Sequence, residues 1–448
     1  MKRWIIKGII IALVLFIGYL LYINRDDGVV TVISEIELVD STRIYSINDI
    51  EIFPLLSDKD LKRIKKLSMA FICNCPPGTK GYDTFPPIVS QLINLEYLDF
   101  SWNEISDLTP IQHLQHLKTI ILPKNQVANF EGFKNFTELK YIDIRGNQLS
   151  DLEGIEGLKN LQFLDLSWNN NLSDLKGIEK LTRLEGLAIG DNNFESFPME
   201  ILQLKNLKRL SMDDLYFRSL PDSFYTDLSI EILQMQYMDN FDYSANLPKF
   251  HKLKELRELY LYWDNISMLD IDFEKCENLE IFDYQYLKKS NIEDLVLYTE
   301  KRPQKRSSHS YINITDVLTR IAKAPKLKQL SLEHNNIQYL PKNLVLPESL
   351  EVLNLSRNNI KNLPILKTPK LRNLSLNYNN ITYLPENIVL PNSLEELSLY
   401  SNNIKKLPVK ITQYTNLKKV NLYSNPIDTT AIKEIEKVMV NTKFYYDK

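Results

Sequence analysis

The chain has 448 residues, with 54 lysines and arginines against 57 aspartates and glutamates and a formal net charge of −3. That balance argues against a nucleic-acid surface, which would be basic, and the three cysteines, Cys73, Cys75 and Cys276, are too few for a disulfide framework. The length exceeds that of an ordinary single-core domain, a limit that stacked repeats escape.

Residues 1–24, MKRWIIKGIIIALVLFIGYLLYIN, begin basic and then run from Gly8 to Ile23 without a strongly polar side chain. With Trp4 to Ile6 the run approaches the length needed to cross a bilayer. No Ala-x-Ala-like site follows it, so a transmembrane signal anchor is expected, with residues 5–23 in the membrane. Lys2, Arg3 and Lys7 outweigh Arg25, which puts the N-terminus inside and the rest of the chain outside the cytoplasm, in a periplasm or at the cell surface. Residues 25–60 are expected to form an N-terminal cap, and VVTVISEIELV within them alternates enough for a strand. Cys73 and Cys75 then fall in a Pro/Gly-rich loop, CNCPPGTKGYDTFPP, either as two thiols or as a strained, tight bridge.

From residue 61 to 428 the pattern L-x-x-L-x-L-x-x-N recurs. Its leading residues are Leu95, Leu117, Leu139, Leu161, Leu184, Leu207, Ile230, Leu256, Leu279, Ile292, Leu327, Leu350, Leu371, Leu394 and Leu417, mostly 21 to 23 residues apart. A weaker copy starts at Ile64. The alternation in L-x-L sends leucines to one side of a short strand, and one such unit buries its apolar side only against its neighbours. Later copies carry Leu-Pro after the turn, as at Leu340-Pro341 and Leu384-Pro385, which favours irregular or short 3₁₀ segments over a regular helix. The insertion around Lys301–Arg306 is the one basic cluster and reads as a solvated excursion or a docking loop. TDVLTRIAKAP after it is expected to form a short helix. Residues 429–448 are expected to be a C-terminal capping helix, with Asp428 or Thr429 as N-cap and Ile432, Ile435 and Met439 at helical spacing.

In this pattern the chain resembles the leucine-rich repeat family. Its early copies are similar to the 22-residue class of bacterial, internalin-like proteins, and its later ones are of the Leu-Pro kind. The resemblance implies an α/β solenoid, a horseshoe with a parallel concave β-sheet and short helical or irregular convex segments. It also implies a buried structural ladder of asparagines: Asn103, Asn125, Asn147, Asn169 and Asn192, then Asn335, Asn358, Asn379, Asn402 and Asn425. Between these two runs the slot holds Leu215, Met238, Asp264, Leu287 and Glu300. There the repeats are either irregular or use apolar groups in place of the ladder.

Positions three, five, seven and eight of the pattern face away from the core. They include Tyr97, Trp102, Tyr141, Phe163, Trp168, Tyr260, Tyr262, Trp263, Tyr286, Tyr378 and Tyr400. Large aromatics on a rigid sheet mark an interface for a protein or peptide, with a glycan as a further candidate. The alternative is that they pack cross-strand. His113 and His116 lack an acidic or Cys partner at ligand spacing, so no metal site is expected, and no cofactor motif occurs. No triad can be built from five histidines, and about twenty residues without a Cys follow the repeats. A non-enzymatic, membrane-anchored interaction module is therefore expected. The alternative is an intracellular scaffold or enzyme regulator of the same repeat type.

Overall fold

A computed structural model describes residues 44–46, 56–70, 81–262, 269–285, 314–341, 344–363 and 365–447. The expected anchor, the strand in VVTVISEIELV, the Cys73/Cys75 loop and the basic insertion lie outside these residues. Among the described residues, no helix is long and apolar enough to cross a membrane.

Among the described residues seventeen strands form one sheet, and each strand pairs in parallel with the next along the chain. The reason is local. In Leu95-x-x-Leu98-x-Phe100 the apolar residues have no solvent exposure, while Tyr97 and Asp99 between them stay half-buried on the other face. Behind the sheet run 3₁₀ turns such as Thr109–Ile111, Ile155–Gly157 and Met199–Gln203. Strands stack about 4.8 Å apart. The segments behind need more width, so the sheet takes the inner side of the arc.

The asparagine ladder is present at all ten positions. Asn125 is representative: its Oδ1 accepts from Ile105 N–H at 2.9 Å, and its Nδ2 donates to the carbonyls of Phe100 at 2.8 Å and Leu122 at 3.1 Å. The side chain thus bonds its own repeat, the one before it, and the loop between them. Eight of the asparagines are buried, while Asn147 and Asn335 are half-buried. A turn buried without these partners would leave backbone groups unsatisfied, at about 1–3 kcal/mol each.

Where the ladder lapses among the described residues, apolar side chains take its place; Asp264, Leu287 and Glu300 lie outside them. Leu215 and Met238 are buried, above an aromatic cluster in which Phe197 meets Phe217 and Phe224, and Phe241 meets Tyr243 at 4.9 Å. Asn246 supplies a substitute further round the repeat, accepting from Leu220 N–H and from Tyr225 Oη. The strands lengthen in the same place. Arg209–Asp213, Ile232–Gln236, Glu258–Tyr262 and Ile281–Gln285 each have five residues, against three in the laddered repeats. With no Asn drawing off the carbonyls, the backbone continues its strand-to-strand bonding for two more residues.

One sequence expectation lies outside the described residues and one is corrected. The copy assigned to Ile292 lies outside the described residues; among those described, Ile281–Gln285 pairs directly with Gln329–Ser331. The helix Ile314–Ile321, ahead of that second strand, buries Val317, Leu318 and Ile321. At the other end, Asp428 caps the helix Thr429–Val438, as its side-chain oxygen accepts from Thr430 and Ala431. The chain then adds a strand, Lys443–Tyr445, paired with Lys419–Asn421.

Candidate partner-binding face

Strand register sorts the open face of the sheet into rows. The first row runs Tyr97, Thr119, Tyr141, Phe163, Gly186 and Arg209. Tyr141 is exposed and Tyr97 half-buried. Phe163 is folded down: a Cβ on Gly186 would lie 2.5 Å from its ring, Tyr141 packs against it at 6.3 Å, and the Arg209 guanidinium lies 5.8 Å over it. Gly186 therefore provides the floor for this ring, and Phe163 belongs to the sheet surface more than to any protruding anchor.

The residue before each ladder asparagine has left-handed backbone. It is Trp102 (φ 60), Lys124 (φ 58), Gly146 (φ 66), Trp168 (φ 64) and Asp191 (φ 53), and later His334, Arg357, Tyr378, Ser401 and Ser424. This turn aims each N–H at the next repeat, as Trp102 N–H donates to Pro123 O at 2.8 Å and Trp168 N–H to Gly190 O at 2.9 Å. Left-handed backbone costs a non-glycine residue about 1–2 kcal/mol. The slot nevertheless holds the two largest exposed side chains of the face, Trp102 at 50% exposure and Trp168 at 39%. Gly146 has a second use here. Its missing Cβ makes room for the Lys124 chain, which crosses it and sets its ammonium 4.0 Å from the Trp168 ring centroid. Desolvation in this position holds the Lys124 pKa below its ordinary value.

Between the aromatics lie carboxylates. Asp143 and Asp165 are register neighbours. Arg145 bonds Asp143 at 3.1 Å and reaches Asp165 at 3.9 Å. Burial, and then the charge of Asp165, raises the Asp143 carboxyl to about 6. Burial likewise raises Asp213 to about 7, because only its Oδ2 is bonded, by Ser211 Oγ at 2.8 Å and Gln234, while Oδ1 is buried without a partner.

Further along the face the tyrosines are tied down. Tyr260 Oη donates to Glu258 at 2.7 Å and Tyr262 Oη to Asp283 at 2.8 Å, which, with burial, raises both phenol pKa values. Tyr378 and Tyr400 meet edge-on at 5.0 Å, with Arg357 4.5 Å over Tyr378. Trp263 and Tyr286 lie outside the described residues. The aromatics thus divide. Trp102, Tyr141 and Trp168 stand exposed in the early repeats and Tyr378 in the late ones, whereas Phe163, Tyr260, Tyr262 and Tyr400 are half-buried and packed or hydrogen-bonded.

The sequence matches a family profile described as a leucine-rich repeat region over residues 125–310 and a second, leucine-rich repeat, over residues 91–108. Among solved structures, a leucine-rich repeat protein of Leptospira interrogans superposes with a TM-score of 0.57 at 25% identity, covering 90% of this chain and 99% of that one. The chain is a leucine-rich repeat protein. TLR13 from a complex with ssRNA13 shares the fold at a TM-score of 0.52 and 19% identity, over 88% of this chain and 63% of that one. An internalin of Listeria monocytogenes aligns over 88% of this chain and 89% of its own at 19% identity, with a TM-score of 0.40. No curated protein matches the sequence.

Elsewhere this leucine-rich repeat protein offers little for chemistry. His113 bonds Ser90 O at 2.7 Å and His116 pairs with Glu138 at 3.4 Å, so the two rings serve different neighbours. Among the described residues no group of His, Cys, Asp and Glu is arranged to hold a metal. A depression of about 530 Å³ between Phe273–Lys275 and the helix Ile314–Ile321 is lined by opposed charges, and Arg320 already bonds Asp270 and Asp316 across it. Burial pushes the Cys276 thiol up to about 12, away from reactivity. Sequence reasoning picked out Trp102 and Trp168 but passed over Lys124, Gly146 and Asp213. The signal for the first two was the same slot read in the intervening repeats, where Gly and Asp are residue types that tolerate left-handed backbone.

Proposed function

We propose that this leucine-rich repeat protein is a non-enzymatic binding module that takes a protein or peptide on the open sheet face around Trp102, Tyr141 and Trp168. In this reading residues 5–23 anchor it in a membrane, with the repeats outside the cytoplasm. One observation carries the proposal: two exposed indoles occupy left-handed backbone that glycine would adopt without strain. Exposed Trp and Tyr on a preformed scaffold supply anchor energy at little ordering cost. The neighbouring aspartates have the wrong sign for a phosphate backbone, so a nucleic acid is not the partner expected here.

The test is a photo-crosslinking amino acid at Tyr141 in the full chain, expressed in the source cells. A discrete adduct that disappears in Trp102→Gly/Trp168→Gly, with the protein still folded, supports the reading. An adduct insensitive to both changes, or none, overturns it. Protease digestion of intact cells tests the topology. Protected repeats would transfer the search to cytoplasmic partners and favour the scaffold alternative.

A further inference from the structure

The back of the late repeats differs from the back of the early ones. Tyr339, Val345, Ile365, Tyr383, Val389 and Val409 are all exposed, three of them by more than 60%. On the corresponding loops of the first four laddered repeats, residues 104–116, 126–138, 148–160 and 170–183, no large apolar side chain is exposed, and on the fifth, 193–206, Met199 alone is. The late pattern is not scatter, since it repeats with a 44-residue period: Tyr339 with Tyr383, Val345 with Val389, Ile365 with Val409 and Lys361 with Lys405. Consecutive strands in parallel register stack these pairs in rows along the solenoid.

The charge changes with the exposure. Early back loops are acidic, carrying Glu104, Asp107, Glu131, Asp151, Glu153 and Glu156 among others. The late ones are basic taken together, through the loops 359–370 and 403–416. Lys361, Lys367, Lys370 and Lys405 are exposed and form no ion pair among the described residues, and only Lys406 is paired, with Glu386 at 3.6 Å. Two acids, Glu348 and Glu386, face them on the loops between residues 336 and 416 that lie behind the strands and their turns.

We propose that this basic, apolar back surface of residues 336–416 docks onto an anionic lipid bilayer. Protruding aliphatic and tyrosine side chains interleaved with lysines match an interface whose headgroups are negative and whose interior is apolar. Side chains set in rows on successive repeats suit a flat lipid leaflet. The proposal does not depend on the sheet-face reading, because it uses the opposite side of the solenoid.

The experiment is hydrogen exchange on the full chain, reconstituted in vesicles of phosphatidylcholine alone or with phosphatidylglycerol. Any insertion of residues 5–23 is then common to both lipids, and the peptides covering 336–347, 361–368, 380–391 and 403–411 report the docking. Slower exchange in these segments only with phosphatidylglycerol, lost in Lys361→Glu/Lys405→Glu and in Val389→Asp/Val409→Asp, is the expected result. Equal exchange in both lipids overturns the proposal, as does protection that survives both double variants. So does equal protection by soluble polyglutamate with no lipid present, which would mark an acidic protein as the partner.

Discussion

The Lys124 ammonium crosses Gly146 to lie 4.0 Å from the centre of the Trp168 ring, so three successive repeats share one contact. A Cβ at position 146 would meet Lys124 Cδ at 2.8 Å and would force a side chain into φ +66°. Gly146→Ala is therefore expected to destabilise the protein by about 1–2 kcal/mol, the strain of left-handed backbone plus the lost cation–π contact. Denaturant midpoints measure it. Lys124→Met should lose only the smaller, cation–π part. An equal loss in both variants would show that backbone strain is not the main cost of the alanine.

Replacing Trp102 with glycine has the opposite sign of backbone effect. It removes left-handed strain while taking away a ring that is half exposed. Thermal stability should change by less than about 1 kcal/mol, whereas the crosslinked adduct at Tyr141 should be lost. A fall in melting temperature of many degrees with the adduct intact would assign the indole to packing.

Asn169 is fully buried. Its side chain accepts from Leu149 N–H and donates to the carbonyls of Ile144 and Leu166. Asn169→Leu strands all three groups, and a loss of about 3 kcal/mol or more is expected. Leucine and methionine do fill the same slot at Leu215 and Met238, but there the strands are longer and an aromatic cluster lies beneath. A near-neutral Asn169→Leu would mean that apolar filling alone replaces the ladder.

Asp213 and Asp143 have folded-state pKa values of about 7 and about 6, above the ordinary value near 3.9. The folded state thus binds more protons than the unfolded chain between about pH 4 and pH 7, and stability falls as pH rises through that window. Melting temperature should be higher at pH 5 than at pH 8, and Asp213→Asn should flatten the slope. Glu96 acts the other way. Hydrogen bonds from Lys118 and then Lys65 hold it at about 2, so its contribution is present above about pH 4.5 and fades only in stronger acid. An unchanged slope in Asp213→Asn would remove this carboxyl as the source.

The repeat period, the strand positions and the ten asparagines could all be read from the sequence, because each rests on a spacing that the physics of stacking enforces. The left-handed turn was faint, since Gly and Asp, which tolerate it, share the slot with Trp, Lys, His, Arg, Tyr and Ser. Phe163 looked like an anchor because its exposure depends on Gly186, a residue in the next repeat, and pairwise contacts of that kind leave no periodic signal. The strand Lys443–Tyr445 is three residues long, below the length at which alternation is legible.

The lapse of the asparagine ladder through Leu215 and Met238 bears on how the molecule comes apart. In a linear array, cohesion passes only between neighbours, and a change in the bonding at one stretch is where a melting front slows or stops. The chain is two asparagine-stitched blocks joined by a stretch held through longer strands and stacked rings. Heat, force or a protease should therefore release it in segments, with the joint between residues 209 and 285 setting their boundary.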